Sequence, residues 1–129
     1  MAYDLNNCTF TGRLSGAPRF CTSANGVSYT RFYIRCVTSR YDSASRKYVD
    51  IPSIIPCIAF GDEARMIGQL HHGTRIAVNG PMFQQMAQDR NGRPISEFIC
   101  HAHSIDLFDD GKTPGFQSRD EWMSSGWRR

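Results

Sequence analysis

The stretch VSYTRFYIRCV, residues 27–37, decides the fold class. It is rich in β-branched and aromatic side chains and free of Gly and Pro, as a long strand is. Successive side chains of an extended chain point to opposite faces. Tyr29, Arg31, Tyr33 and Arg35 therefore share one face, and Thr30, Phe32, Ile34 and Cys36 share the other. The second set is apolar enough to be core, so the strand reads as half-buried and the chain as all-β.

Before this stretch, Pro18 and the Asn25-Gly26 pair mark turns, and Asn-Gly is the strongest short hairpin signal. A first strand is expected at about residues 8–14, where Gly12 marks a bulge or a close approach. After it, RYDSASRKYVD, residues 40–50, is polar and turn-prone and reads as an exposed loop. IIPCIAF, residues 54–60, is the third strand. Pro52 and Pro56 assign part of it to an edge or a bulge, because proline has no N–H to donate. GDEARMIGQLHHG, residues 61–73, holds the one helix, with Asp62 as its N-cap and Glu63 in its first turn. Ala64, Ile67 and Leu70 recur there at helical spacing, and Gly73 stops the helix. A fourth strand at 74–78 ends near Gly80, Arg90-Asn91-Gly92 turns the chain, and a fifth strand covers about 95–107. The result is five strands with one helix between the third and fourth.

A chain of 129 residues, 40% of them hydrophobic, supports one modest core and excludes a large multidomain enzyme. Lys+Arg 15 against Asp+Glu 12 gives a net charge of +3, which permits a polyanionic partner without demanding one. Only Lys47 and Lys112 are lysines, so thirteen of the 15 basic residues are arginines. Arginine binds phosphate bidentately and stacks on aromatic planes. Cys8, Cys21, Cys36, Cys57 and Cys100 are odd in number, widely spaced and without a CxxC pair. They fit reduced thiols better than a disulfide framework or a zinc ribbon. The opening MAYDLNNCTF has neither the basic nor the apolar region of a signal peptide, and no stretch approaches the ~20 apolar residues of a membrane span. A soluble cytosolic protein is expected. From Asp109 on, DDGKTPGFQSRDEWMSSGWRR has no periodic apolar face and reads as a tail. Its four basic and four acidic residues cancel, which assigns the whole +3 to residues 1–108.

Rings interleaved with guanidinium groups are what single-stranded nucleic acid needs, since rings stack on bases and cations meet phosphates. A solvated strand face on which Tyr and Arg pack across to neighbours is the plain alternative. Phe60 ends the third strand, and Tyr41 and Tyr48 lie in the loop after the second, where they could clamp a base. A Phe at a strand end is otherwise core. Arg13, Arg40, Arg46, Lys47, Arg75, Arg90 and Arg93 could form a phosphate path, although each alone is an ordinary surface charge. His101 and His103 share a strand face and, with His71-His72, could contribute to a metal site, yet no third ligand stands at a useful spacing. Nothing resembles a nucleophile elbow, a phosphate-cradling glycine loop or paired catalytic carboxylates. No catalytic residue, cofactor or metal is expected.

Strand, strand, strand, helix, strand, strand is the order of the OB-fold, a five-stranded Greek-key barrel whose second and third strands commonly bind oligonucleotides. Over about residues 6–108 the chain resembles the bacterial-type single-stranded DNA-binding protein family. The matching stations are Asn6, Gly12 and Leu14 in NNCTFTGRL, Pro18 and Asn25-Gly26 in PRFCTSANG, residues 32–38 in FYIRCVT, and Phe60-Gly61 in AFGDEAR. Leu70, Gly73, IAVNG ending at Gly80, DRNG, and SEF with Glu97 continue the series. Their order and spacing, rather than any one of them, carry the resemblance.

The resemblance implies an OB domain at 1–108 that assembles as a homotetramer, or a dimer, and protects single-stranded DNA during replication, recombination and repair. It implies stacking by Phe60 and, within a residue of its station, by Tyr41. Ile54 and Met86 fall where the family carries Trp, and Pro56 where it often carries a basic residue, so two stacking platforms and a phosphate contact are missing. Phe83, Tyr29 and Tyr33 would compensate. The tail at 109–129 closes on Gly126-Trp127-Arg128-Arg129 instead of the family's acidic tip, which puts recruitment of repair enzymes in doubt. Such a member would suit a bacterial cytosol or nucleoid and a plasmid, phage or integrated element. An OB-fold interaction module that has lost DNA binding is the alternative.

Overall fold

A computed structural model of the chain describes residues 2–107, so the tail expected at 109–129 lies outside the described residues. The elements run β1 (Cys8–Leu14), β2 (Arg19–Thr22), β3 (Ser28–Asp42), β4 (Lys47–Phe60), α1 (Gly61–Gly68), β5 (Arg75–Gly80), β6 (Met82–Gln88), β7 (Pro94–His101) and β8 (Ser104–Leu107). They form one sheet in the order β6-β7-β4-β3-β1-β5-β8, with β2 added to β3.

The sheet closes on itself through the last two strands. Only Ala102 and His103 separate β7 from β8. β7 lies parallel to β4, with Cys57 opposite Cys100, whereas β8 lies antiparallel to β5, with Ile76 opposite Leu107. One bent segment thus joins both ends of the row β4-β3-β1-β5. Backbone hydrogen bonds from Ala102 to the Ile58 carbonyl (2.8 Å) and from His103 to the Asn79 carbonyl (3.0 Å) hold the bend. The fold is an all-β OB barrel made of β1, β3, β4, β5 and the bent β7–β8 pair. Closure requires two close backbone approaches. A Cβ on Gly12 would strike the Arg35 carbonyl, and one on Gly80 would strike that of His101.

Leu14, Phe32, Ile34, Ala59, Ile67, Ile76, Val78 and Ile105 fill the interior. The helix caps one end, tied there by the buried Thr30 hydroxyl, which donates to the Ala64 carbonyl at 2.6 Å. Ala64 and Ile67 are buried as their spacing predicts. Leu70 also packs on the core but lies beyond the helix. Asp62 is not the N-cap: Phe60 takes that position in extended conformation, with no side-chain cap.

The count of five strands needs correction, because eight are described. The stretch 40–50 is not a loop. β3 and β4 stay in register from Tyr29 opposite Phe60 out to Asp42 opposite Lys47, so these residues form the end of a long hairpin arm. Composition misled because both faces of the arm meet water, and its side chains carry no core signal. The Asp42 carboxylate accepts from the Ser45 N–H (3.3 Å) and hydroxyl (2.7 Å), and Arg46 turns left-handed at φ 57°. Those hydrogen bonds from Ser45, the hydroxyl foremost, hold the Asp42 carboxyl below its usual pKa. Beyond Pro56, β4 has no neighbour but β3 toward the arm tip, which is why Pro52 and Pro56 are tolerated there. β2 pairs with β3 across the Asn25-Gly26 turn, and β6 pairs with β7 along its length across the turn at Asn91-Gly92.

Candidate nucleic-acid interface

The alternation expected of residues 29–36 is present. Thr30, Phe32 and Ile34 are buried and Arg31, Tyr33 and Arg35 exposed, while Tyr29 is half-buried. Residues directly opposed in a sheet share a face, so β3 brings Phe60, Ile58, Pro56 and Ile54 of β4 to its outer side.

Four rings meet on that side. The Tyr29 and Phe60 centroids lie 6.4 Å apart, Phe60 and His101 5.9 Å, and Phe83 and His101 4.5 Å, edge to face. They come from β3, β4, β7 and β6 in turn. Phe60 and Phe83 are each 45% exposed, so Phe60 is not a core residue. His101 sits between the two Phe rings, and burial, followed by the charge of His103, lowers its pKa below the usual value. Its place in the ring row was not legible in the sequence, where it paired by spacing with His103. No group of three or more His, Cys, Asp or Glu able to hold a metal occurs among the described residues.

The other expected residues fall into separate places. Tyr33 is exposed opposite Pro56, and with Ala17, Arg19 and Arg31 it lines a depression of about 250 Å³. Arg19 of β2 is the cross-strand partner of Arg31, a pairing that needed β2 to be seen. Tyr41 is not in a flexible loop: it faces Tyr48 across the arm, centroids 5.3 Å apart, edge to face. From Tyr29 to Tyr41 the strand runs about 40 Å at roughly 3.3 Å per residue, so the arm pair stands apart from the four rings. Arg13 and Arg75 are half-buried and Arg35 exposed, side by side on β1, β5 and β3. Of the departures, Ile54 is 52% exposed on the outer side opposite Arg35. Met86 alternates to the other side of its hairpin from Phe83.

Residues 5–108 match the model of the single-strand binding protein family. The chain belongs to that family. Two solved structures share the family's fold with it. A small single-stranded DNA-binding protein from Streptomyces coelicolor superposes with a TM-score of 0.64 at 19% identity, over 79% of this chain and 93% of that one. A deletion mutant of the single-stranded DNA-binding protein from Thermus aquaticus gives 0.72 at 21% identity, over 83% of this chain and 52% of that one. This family member therefore spans about half the length of the Thermus chain. No curated protein matches it. Among its described residues no helix is long and apolar enough to cross a membrane.

Proposed function

We propose that this protein binds single-stranded DNA with little sequence preference, stacking bases on exposed rings and meeting phosphates with arginines. The observation that carries the reading is the row Tyr29–Phe60–His101–Phe83, a partly exposed ring surface crossing four strands of a single-strand binding fold. Every base has a π-face, so such stacking tolerates any sequence and is worth about 1–3 kcal/mol per base. Tyr33 and the arm ring Tyr41 extend the surface along β3, and Arg31 offers a guanidinium between Tyr29 and Tyr33. The role is non-catalytic and fits DNA protection in replication, recombination and repair, in a homo-oligomer of the cytosol.

The exposed Ile54 and the half-buried Pro56, in place of an aromatic and a basic station, favour a second reading in which the fold serves protein interaction alone. Titration of a labelled oligo-dT strand at low and high salt decides. Under the first reading affinity falls steeply with salt, because each neutralised phosphate releases counterions, and a Tyr29→Ala/Tyr33→Ala/Phe60→Ala variant binds far more weakly. Unchanged binding by that variant, or affinity indifferent to salt, contradicts the mechanism. Absence of binding leaves the second reading.

A further inference from the structure

β6 begins at Met82 and stands at one end of the row of strands, beside β7. Its other edge faces no strand, and a sheet edge leaves backbone N–H and C=O groups without ladder partners. At Met82 a side chain takes that place. The Asn6 amide donates from Nδ2 to the Met82 carbonyl at 2.8 Å, and its Oδ1 accepts from the Met82 N–H at 3.0 Å. A primary amide offers a donor and an acceptor side by side, so Asn6 pairs with Met82 much as a neighbouring strand would.

Both ends of this clamp are tied to the barrel. Asn6 lies two residues before β1. The start of β1 is in turn fixed to β5, since Asn79 Nδ2 donates to the Cys8 carbonyl at 3.3 Å and to the Thr9 hydroxyl at 2.8 Å. From the other side, the His101 N–H of β7 donates to the Pro81 carbonyl at 2.9 Å, and the Met82 side chain packs on the core. Strand alternation turns the next side chain, Phe83, to the outer face, where it meets His101 edge to face. A two-stranded hairpin is marginally stable by itself, so the placing of Phe83 depends on what holds the first residues of β6. We infer that Asn6 is a positioning residue for the ring surface: by pairing with Met82 on the side away from β7, it sets the base of the β6–β7 hairpin and with it the contact of Phe83 with His101. Its value for DNA binding rests on the single-stranded DNA reading, whereas its effect on the two rings does not.

The test reads the rings in two ways. In the DNA-free full chain at one fixed pH, the imidazole proton resonances of His101 report the ring current of Phe83 by NMR. In Asn6→Ala they are expected to move toward their positions in Phe83→Ala. Asn6 is exposed and lies outside the strands, so this variant keeps the core. With oligo-dT, Asn6→Ala is expected to lose about fivefold in affinity, the scale of a hydrogen-bonding side chain's net contribution. The salt slope should stay at its wild-type value, because no phosphate contact is removed. The same substitution made in Phe83→Ala should cost nothing further, whereas a general loosening of the fold would lower affinity equally in both backgrounds. His101 resonances unmoved in Asn6→Ala, or equal affinity losses with and without the Phe83 ring, overturn the positioning role while leaving DNA binding intact. Failure of the wild-type chain to bind oligo-dT overturns the underlying reading, and the His101 resonances then still decide whether Asn6 sets the rings.

Discussion

Phe83 and His101 meet edge to face, their centroids 4.5 Å apart and their planes 71° apart. The contact joins the β6–β7 hairpin to the outer face of the barrel, because Phe60 of β4 lies on the other side of the same imidazole at 5.9 Å. The histidine is thus the link that makes separate rings a continuous surface.

If that surface binds bases, truncating its corner weakens oligo-dT binding. Phe83→Ala and His101→Ala are each expected to cost about 1–3 kcal/mol. Because the rings touch, their effects should not add. His101→Phe keeps a ring in place and should retain most of the affinity. Wild-type affinity in the Phe83→Ala/His101→Ala double variant would remove this corner from the binding surface.

His101 also predicts a pH dependence of stability. Burial and the His103 charge disfavour its imidazolium, so the folded chain holds this proton less well than the unfolded chain. Above the unfolded value of about 6.5 both states are neutral here and the residue contributes nothing. As pH falls from there through the lowered native value, the unfolded state gains the proton first and stability is lost. Urea denaturation between pH 7.5 and 5 should show a shallower decline in His101→Phe than in the wild type. Identical pH profiles would place the titration elsewhere.

Gly80→Ala should destabilise the barrel by about 1–3 kcal/mol, the usual cost of overpacking. A methyl group there runs into the His101 carbonyl, in backbone that the β7–β8 bend holds fixed. Thermal denaturation measures the loss, and a melting point equal to the wild type's would show that the strands can part at that crossing.

The thiols should divide into two classes. Cys57 and Cys100 are buried and face each other across β4 and β7. The hydrogen bond between them, with burial, pushes the Cys57 thiol well above its usual pKa, whereas the same bond lowers that of Cys100. Cys57 is inert as a protonated, buried thiol, and Cys100 is shielded by its burial alone. Cys8, Cys21 and Cys36 are only partly covered. Maleimide labelling followed by mass mapping should modify these and spare Cys57 and Cys100 until the chain is unfolded.

Much of the barrel was legible locally. The alternation around Phe32 and Ile34, the turn glycines and the helical spacing of Ala64 and Ile67 each report a burial pattern within a few residues. The arm at 40–50 was not legible, because its strands are held by backbone pairing with both faces in water. β2 and β6 were missed for a related reason: they are short or polar strands whose hydrogen bonds, not their side chains, define them.

The sequence by itself determined which side chains of residues 29–35 turn outward, since a strand's two-residue period allows no other arrangement once Phe32 and Ile34 are core. Only the tertiary structure decided which of those side chains become neighbours. Tyr29, Phe60, Phe83 and His101 are brought together by the parallel pairing of β4 with β7, and Arg13, Arg35 and Arg75 by the registers of β1 with β3 and β5. Such registers join positions dozens of residues apart. They are set by closing the barrel around one core, a constraint that no local window of sequence contains.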